Sequence, residues 1–159
     1  MIEQLTIPTL APTADSIVAA LYEHYKRGDW IAFDELRIGT GYGKDAEQRI
    51  DFWAMEAIPS KRFRRVAYEI KVSRADLLAE LRQPRKRARA LLFSNEFYFI
   101  TPPGLMHAGE LPPECGLAEL HEVGFISFKY AAPWRDTMPP TWQFLAAIAR
   151  RADRRAPDA

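Results

Sequence analysis

Residues 65–101 constrain the fold more than any other part of the chain. Arg65-Val-Ala-Tyr-Glu-Ile-Lys-Val-Ser73 concentrates β-branched and aromatic residues and reads as a strand. Ser73-Arg-Ala-Asp76 has the form of a capping box, with an acid three residues after the serine. Leu77, Leu78 and Leu81 carry the helix that follows, and Pro84 either kinks it or opens a second helix at its first turn. Arg85 to Phe93 continues helical, with Ala88, Leu91 and Leu92 apolar. Glu96-Phe-Tyr-Phe-Ile-Thr101 is then a further strand, stopped by Pro102-Pro103-Gly104. A helical crossover of this length pairs its two flanking strands in parallel.

The flanking sequence builds outward from that unit. Met1 to Pro12 has two prolines and no periodicity, and residues 1–14 read as an irregular arm. Thr13 or Asp15 caps a helix to about Arg27, with Ile17, Leu21 and Tyr25 at four-residue steps and Gly28-Asp29 ending it. Ile31 to Ile38 is a strand in which alternation puts Ile31, Phe33 and Glu35 on one side and Ala32, Asp34 and Leu36 on the other. Gly39-Thr-Gly-Tyr-Gly43 lacks the Lys-Ser/Thr of a phosphate-binding P-loop and reads as a hairpin connection. Arg49 to Glu56 is a second strand, so the first three strands form a meander. Leu117 to Val123 and Phe125 to Tyr130 are two short strands. The last helix runs from about Thr141 to Arg151 with Trp142, Leu145 and Ile148-Ala149 as its apolar face and Phe144 beside it, and residues 153–159 read as a frayed tail. The fold class is α/β: one domain over residues 15–152, with a mixed central sheet flanked by helices.

At 159 residues the chain is long enough for one real core, and an apolar fraction of 48% argues against disorder. A single cysteine excludes a disulfide framework, and His24, His107 and His121 show no metal-ligand spacing. No run approaches the ~20 apolar residues that span a bilayer, and no signal-peptide core is present, so no membrane partner and a cytoplasmic setting are expected. The net charge of +1 conceals an asymmetry. Residues 61–90 hold eleven basic residues against Glu69, Asp76 and Glu80, a local charge of +8, while the rest of the chain carries −7. Such a block points to a polyanionic partner.

Chemistry concentrates at Asp51 and at Glu69-Ile70-Lys71. Period two puts Glu69 and Lys71 on one face of the third strand, with Tyr68, Ile70 and Val72 on the other. If the second and third strands pair, Asp51 comes close to Glu69. Two carboxylates brought together repel unless a cation sits between them, and oxygen donors suit a hard ion such as Mg²⁺ that keeps waters for chemistry. Lys71 would face the same cavity, to orient or deprotonate a water or to stabilise charge on a phosphate. The tripeptide by itself carries little information. Its context carries more: an apolar strand, an Asp eighteen residues earlier, and a capped helix inside the +8 block.

Arg49-Ile-Asp51, Tyr68-Glu-Ile-Lys71 and Ser73-Arg-Ala-Asp76 together resemble the PD-(D/E)XK nuclease superfamily, the restriction-endonuclease-like fold. Phe97-Tyr-Phe-Ile-Thr-Pro-Pro-Gly104 and Leu111-Pro-Pro-Glu-Cys-Gly-Leu117 look like the strand and loop that follow in small phage and bacterial members of DNA-repair type. The resemblance spans roughly residues 15–130. It implies a helix–strand–strand–strand–helix–strand core and metal-dependent hydrolysis of DNA phosphodiesters. It also implies roles: Asp51 and Glu69 as ligands of Mg²⁺ or Mn²⁺, the Ile70 carbonyl as another, and Lys71 as the catalytic lysine. Ile50 stands where the motif's name has Pro, a position that varies widely in the superfamily. A further acid is expected from the first helix or first strand. Glu23 and Glu35 are the candidates, and Glu35 is preferred for its place at a strand end.

In such enzymes the helix after the motif faces the scissile phosphate. Gln83, Lys86 and Arg87 are the expected contacts there, with Arg74, Arg82, Arg85 and Arg89 holding the DNA backbone. A homodimer could act on two strands. The competing expectation is a catalytically silent nucleic-acid-binding module, or an accessory protein, on the same fold.

Overall fold

The computed structural model describes residues 10–39, 47–122 and 124–155. Helix α1 (Ala14–His24) is followed by strands β1 (Trp30–Arg37), β2 (Arg49–Glu56) and β3 (Arg65–Ile70). Helices α2 (Arg74–Leu81) and α3 (Ala88–Leu92) cross over to β4 (Glu96–Thr101). Strands β5 (Gly116–Leu120) and β6 (Ile126–Tyr130) and helix α4 (Trp142–Asp153) complete the order. The helix–strand–strand–strand–helix–strand succession read from the sequence is present. Pro84 stops α2 and starts a single 3-10 turn at Pro84–Lys86 before α3 begins. Apart from Gly39, the glycine-rich connection at 39–43 lies outside the described residues, as do most of the N-terminal arm and the end of the tail.

The six strands lie in chain order across one sheet. β1, β2 and β3 pair antiparallel, β3–β4 and β4–β5 pair parallel, and β5–β6 pair antiparallel. The helical crossover thus sets the parallel centre. Thr13 caps α1 by accepting the Ser16 N–H at 3.1 Å, and Ser73 caps α2 by accepting the Asp76 N–H at 3.1 Å.

Two apolar layers hold the sheet. Ile17 and Leu21 of α1 and Tyr25 just past its end pack with Phe52, Val66, Tyr68, Tyr98 and Ile100 on one face. Leu77, Ala90 and Phe144, from α2, α3 and α4, pack with Phe33, Trp53, Ala67, Phe97 and Phe99 on the other.

Two parts of the sequence reading change. The expected alternation of β1 breaks at Glu35, whose φ is +49°. A left-handed residue inside a strand reverses which side the next side chain faces. Phe33 and Leu36 therefore enter the same core although three residues apart, and Trp53 and Ile50 do the same across from them on β2. The face of α4 also differs. Phe144 and Ala147 are buried, whereas Trp142 is 87% exposed and Leu145 faces solvent. The reason is a specific slot: the Phe144 ring stacks on Phe93 at 4.2 Å and meets Trp53 edge-on at 5.5 Å.

Candidate active site

The break at Glu35 is opposite Asp51. The register pairs Asp34 with Phe52 and Leu36 with Ile50, so Glu35 and Asp51 face each other between them. On the other side of β2, the β2–β3 ladder runs from Met55↔Arg65 to Phe52↔Tyr68. One step further, Asp51 and Glu69 come into opposition. Here the Asp51 side chain takes over from the ladder: the Ile70 N–H donates to its Oδ2 at 2.8 Å. The next main-chain donor, Lys71 N–H, turns the other way and bonds to Ile100 O at 3.1 Å. In an extended chain a residue's N–H and C=O point to the same neighbour, so the Ile70 carbonyl is also directed to the Asp51 side.

Lys71 lies between acids. Its Nζ is 2.7 Å from Glu69 Oε1 and 3.7 Å from Glu80 Oε2. Glu80 projects from α2 and is only 6% exposed. The sequence reading did not single it out. The available signal was its spacing, since Glu80 follows Leu77 by three and so sits on the buried stripe of the helix. A carboxylate on such a stripe needs a partner, and Lys71 supplies it.

The electrostatics follow from this crowding. Burial, then the nearby Asp51 carboxylate, push the Glu69 carboxyl up to about 7, against the pull of Lys71. Burial, with Glu35 and Glu80, also raises Asp51, against the Ile70 N–H and Lys71. Burial opposes the Lys71 ammonium, but Glu69, Glu80 and Asp51 outweigh it and raise its pKa. At neutral pH Lys71 is therefore a held cation. As a cation it can donate hydrogen bonds and stabilise negative charge.

Glu35 is more peripheral. Its Oε2 accepts from Arg49 Nη1 at 2.9 Å and its side chain is largely exposed. Glu23, the other acid considered, is exposed beside Lys26 at 3.6 Å. Among the described residues no group of three or more His, Cys, Asp or Glu is arranged to hold a metal ion. A hard ion that keeps its waters needs only one or two carboxylates, with further ligands from water or phosphate. Asp51 and Glu69 are both raised chiefly by burial, Asp51 adds to the rise of Glu69, and both present carboxylate oxygens beside the Lys71 ammonium. Carboxylate oxygens are the ligand type that a hard divalent cation takes.

The basic block separates into parts. Arg62, Arg64 and Arg65 lie at the start of β3, away from Glu69, and are engaged with Asp136 (2.9 Å), Glu96 (2.7 Å) and Thr137 Oγ1 (2.9 Å). Arg74, expected on the DNA backbone, and Arg87, expected at the scissile phosphate, are each paired with an acid of a later loop. Arg74 grips Glu110 with both guanidinium nitrogens and donates to Leu105 O at 2.8 Å. Arg87 is 5% exposed and bonds to Glu114 Oε1 at 2.8 Å, which pins the loop before β5. Arg82, Gln83, Arg85 and Lys86 are exposed together at the end of α2 and the turn after it, and Arg89 is half-buried. Cys115 is buried, and its thiol is pushed up to about 12, chiefly by burial, which leaves no nucleophilic thiolate.

The fold recurs in a solved structure. SPO1766, a protein of unknown function from Silicibacter pomeroyi, superposes with a TM-score of 0.57 over 88% of this chain and 86% of that one, at 19% identity. No family model and no curated protein matches the chain. Among the described residues no helix is long and apolar enough to cross a membrane.

Proposed function

We propose that the chain is a metal-dependent deoxyribonuclease of PD-(D/E)XK type acting in the cytoplasm, in DNA repair, processing or restriction. The observation that carries this reading is the convergence of Asp51, Glu69 and Lys71 at one point on the sheet, where β2 and β3 part. Asp51, Glu69 and the Ile70 carbonyl would hold Mg²⁺ or Mn²⁺. Bound there, the ion would supply Lewis acidity and a water of lowered pKa. Lys71, kept protonated by Glu69 and Glu80, would donate to a phosphate oxygen and offset the negative charge that develops on it. Glu80 would act as a positioning residue, holding the ammonium from the helix side. Arg82, Gln83, Arg85 and Lys86 would meet the DNA backbone.

The test is a panel of single-stranded, duplex and branched DNA and RNA incubated with Mg²⁺ or Mn²⁺. Cleavage of DNA that EDTA stops, and that Lys71→Ala abolishes, is expected. DNA binding with no metal-dependent cleavage of any substrate would instead identify a silent binding module.

A further inference from the structure

A cleft of about 290 Å³ opens between the end of β1, the start of β2 and the last turns of α4. Five arginines line it: Arg37 from β1, Arg49 from β2, and Arg150, Arg151 and Arg154 at the end of α4. Glu35 is the one carboxylate among its lining residues. We propose that this cleft is a second DNA-backbone contact, which binds phosphates of a strand lying across the candidate active site.

Charge balance is the first argument. Glu35 pairs with Arg49, and Asp34 pairs with Arg151 at 2.9 Å. Among the described residues no carboxylate pairs with Arg37, Arg150 or Arg154, and all three are exposed. The Nε of Arg151 is buried without a hydrogen-bond acceptor. Basic residues at a helix C-terminus complement its dipole, which accounts for part of the α4 cluster. It does not account for Arg37 and Arg49, which arrive from two strands. Like charges gathered from three elements repel, and a bound polyanion relieves that repulsion.

Position is the second argument. Glu35, on the cleft wall, stands opposite Asp51 in the β1–β2 register and contributes to raising its pKa. The cleft thus adjoins the Asp51–Glu69 pair on its β1 flank, while Arg82 to Lys86 lie on its α2 flank. A strand passing over the pair would meet cations on both sides. The whole-chain count hides this surface, because every one of these arginines falls in the segments that sum to −7.

The inference rests on the DNA-directed reading above, and binding measured in EDTA separates the two. Fluorescence anisotropy of a labelled DNA duplex would be followed against salt for the parent, Arg150→Ala/Arg154→Ala, and Lys26→Ala/Arg27→Ala as a control with the same charge loss elsewhere. The cleft variant should bind more weakly, with a log–log salt slope shallower by about two, one per lost phosphate contact. The control should keep the parent slope. Equal slopes for the parent and the cleft variant, an equal fall in the control, or no DNA binding by the parent would overturn the proposal. Metal-dependent cleavage by a cleft variant of undiminished affinity would leave the nuclease reading standing alone. Arginine-dependent binding without cleavage would leave the cleft standing alone.

Discussion

The Asp51 Oδ2 accepts the Ile70 N–H at 2.8 Å, so the same carboxylate that faces Glu69 also terminates the β2–β3 ladder. One side chain therefore carries two separable roles. Asp51→Asn keeps an oxygen for the Ile70 N–H and removes the charge. Because burial raises the Asp51 pKa, its ionised form costs stability at neutral pH, and Asp51→Asn should melt at or above the parent temperature while losing cleavage. Asp51→Ala should lose cleavage and in addition about 1–2 kcal/mol of stability, from the unpaired N–H. Thermal melts alongside a plasmid-cleavage assay would check both.

Lys71 and Glu80 should be energetically coupled. Lys71→Met leaves the buried Glu80 and the largely buried Glu69 without their cation, whereas Lys71→Met in a Glu80→Gln background leaves only Glu69. A double-mutant cycle by urea denaturation should give a favourable coupling of about 1 kcal/mol. Glu80→Gln alone should retain cleavage but move its alkaline limb to lower pH, since Glu80 is one of the acids that raise Lys71. An unchanged pH profile would remove Glu80 from the site.

The strand–helix–strand unit at 65–101 was legible because periodicity, cap and breaker all agree there, and pairing of β2 with β3 leaves Asp51 near enough to raise the Glu69 carboxyl. What could not be read depends on tertiary partners. The kink at Glu35 leaves no mark in composition, since the residue is not glycine, yet it reverses the inward face of β1. Glu80 looked like another helix charge until Lys71 was placed beside it. Arg74 and Arg87 counted toward the basic block, but Glu110 and Glu114 lie 36 and 27 residues further on, and only the fold brings them together.

Glu69 makes stability depend on pH in a defined direction. Its folded pKa of about 7 lies above the ordinary carboxylate value of 4.5, so the folded protein binds a proton that the unfolded chain has released. The contribution is fully present below about pH 4.5 and is lost as pH rises through about 7. Asp51 on β2, Lys71 beyond β3 and Glu80 on α2 are the charged neighbours that set it. In EDTA, the melting temperature of Glu69→Gln relative to the parent should therefore increase between pH 5 and pH 7.5. Scanning calorimetry across that range would check it, and an offset that does not change with pH would show that Glu69 titrates normally.

The orientation of α4 can be tested on two aromatic residues two positions apart. Phe144 fills the space between Phe93 and Trp53, so Phe144→Ala should cost about 3–5 kcal/mol through lost burial and the cavity left behind. Trp142, in the first turn of the same helix, is 87% exposed, and Trp142→Ala should change stability by no more than about 0.5 kcal/mol. The alternative orientation, with Trp142 and Leu145 inward, gives the opposite ranking. It would also turn Arg151 away from Asp34, to which its Nη2 donates at 2.9 Å, and so dismantle the arginine cleft. Chemical denaturation of the two single variants therefore tests the helix packing and the placement of the cleft arginines together.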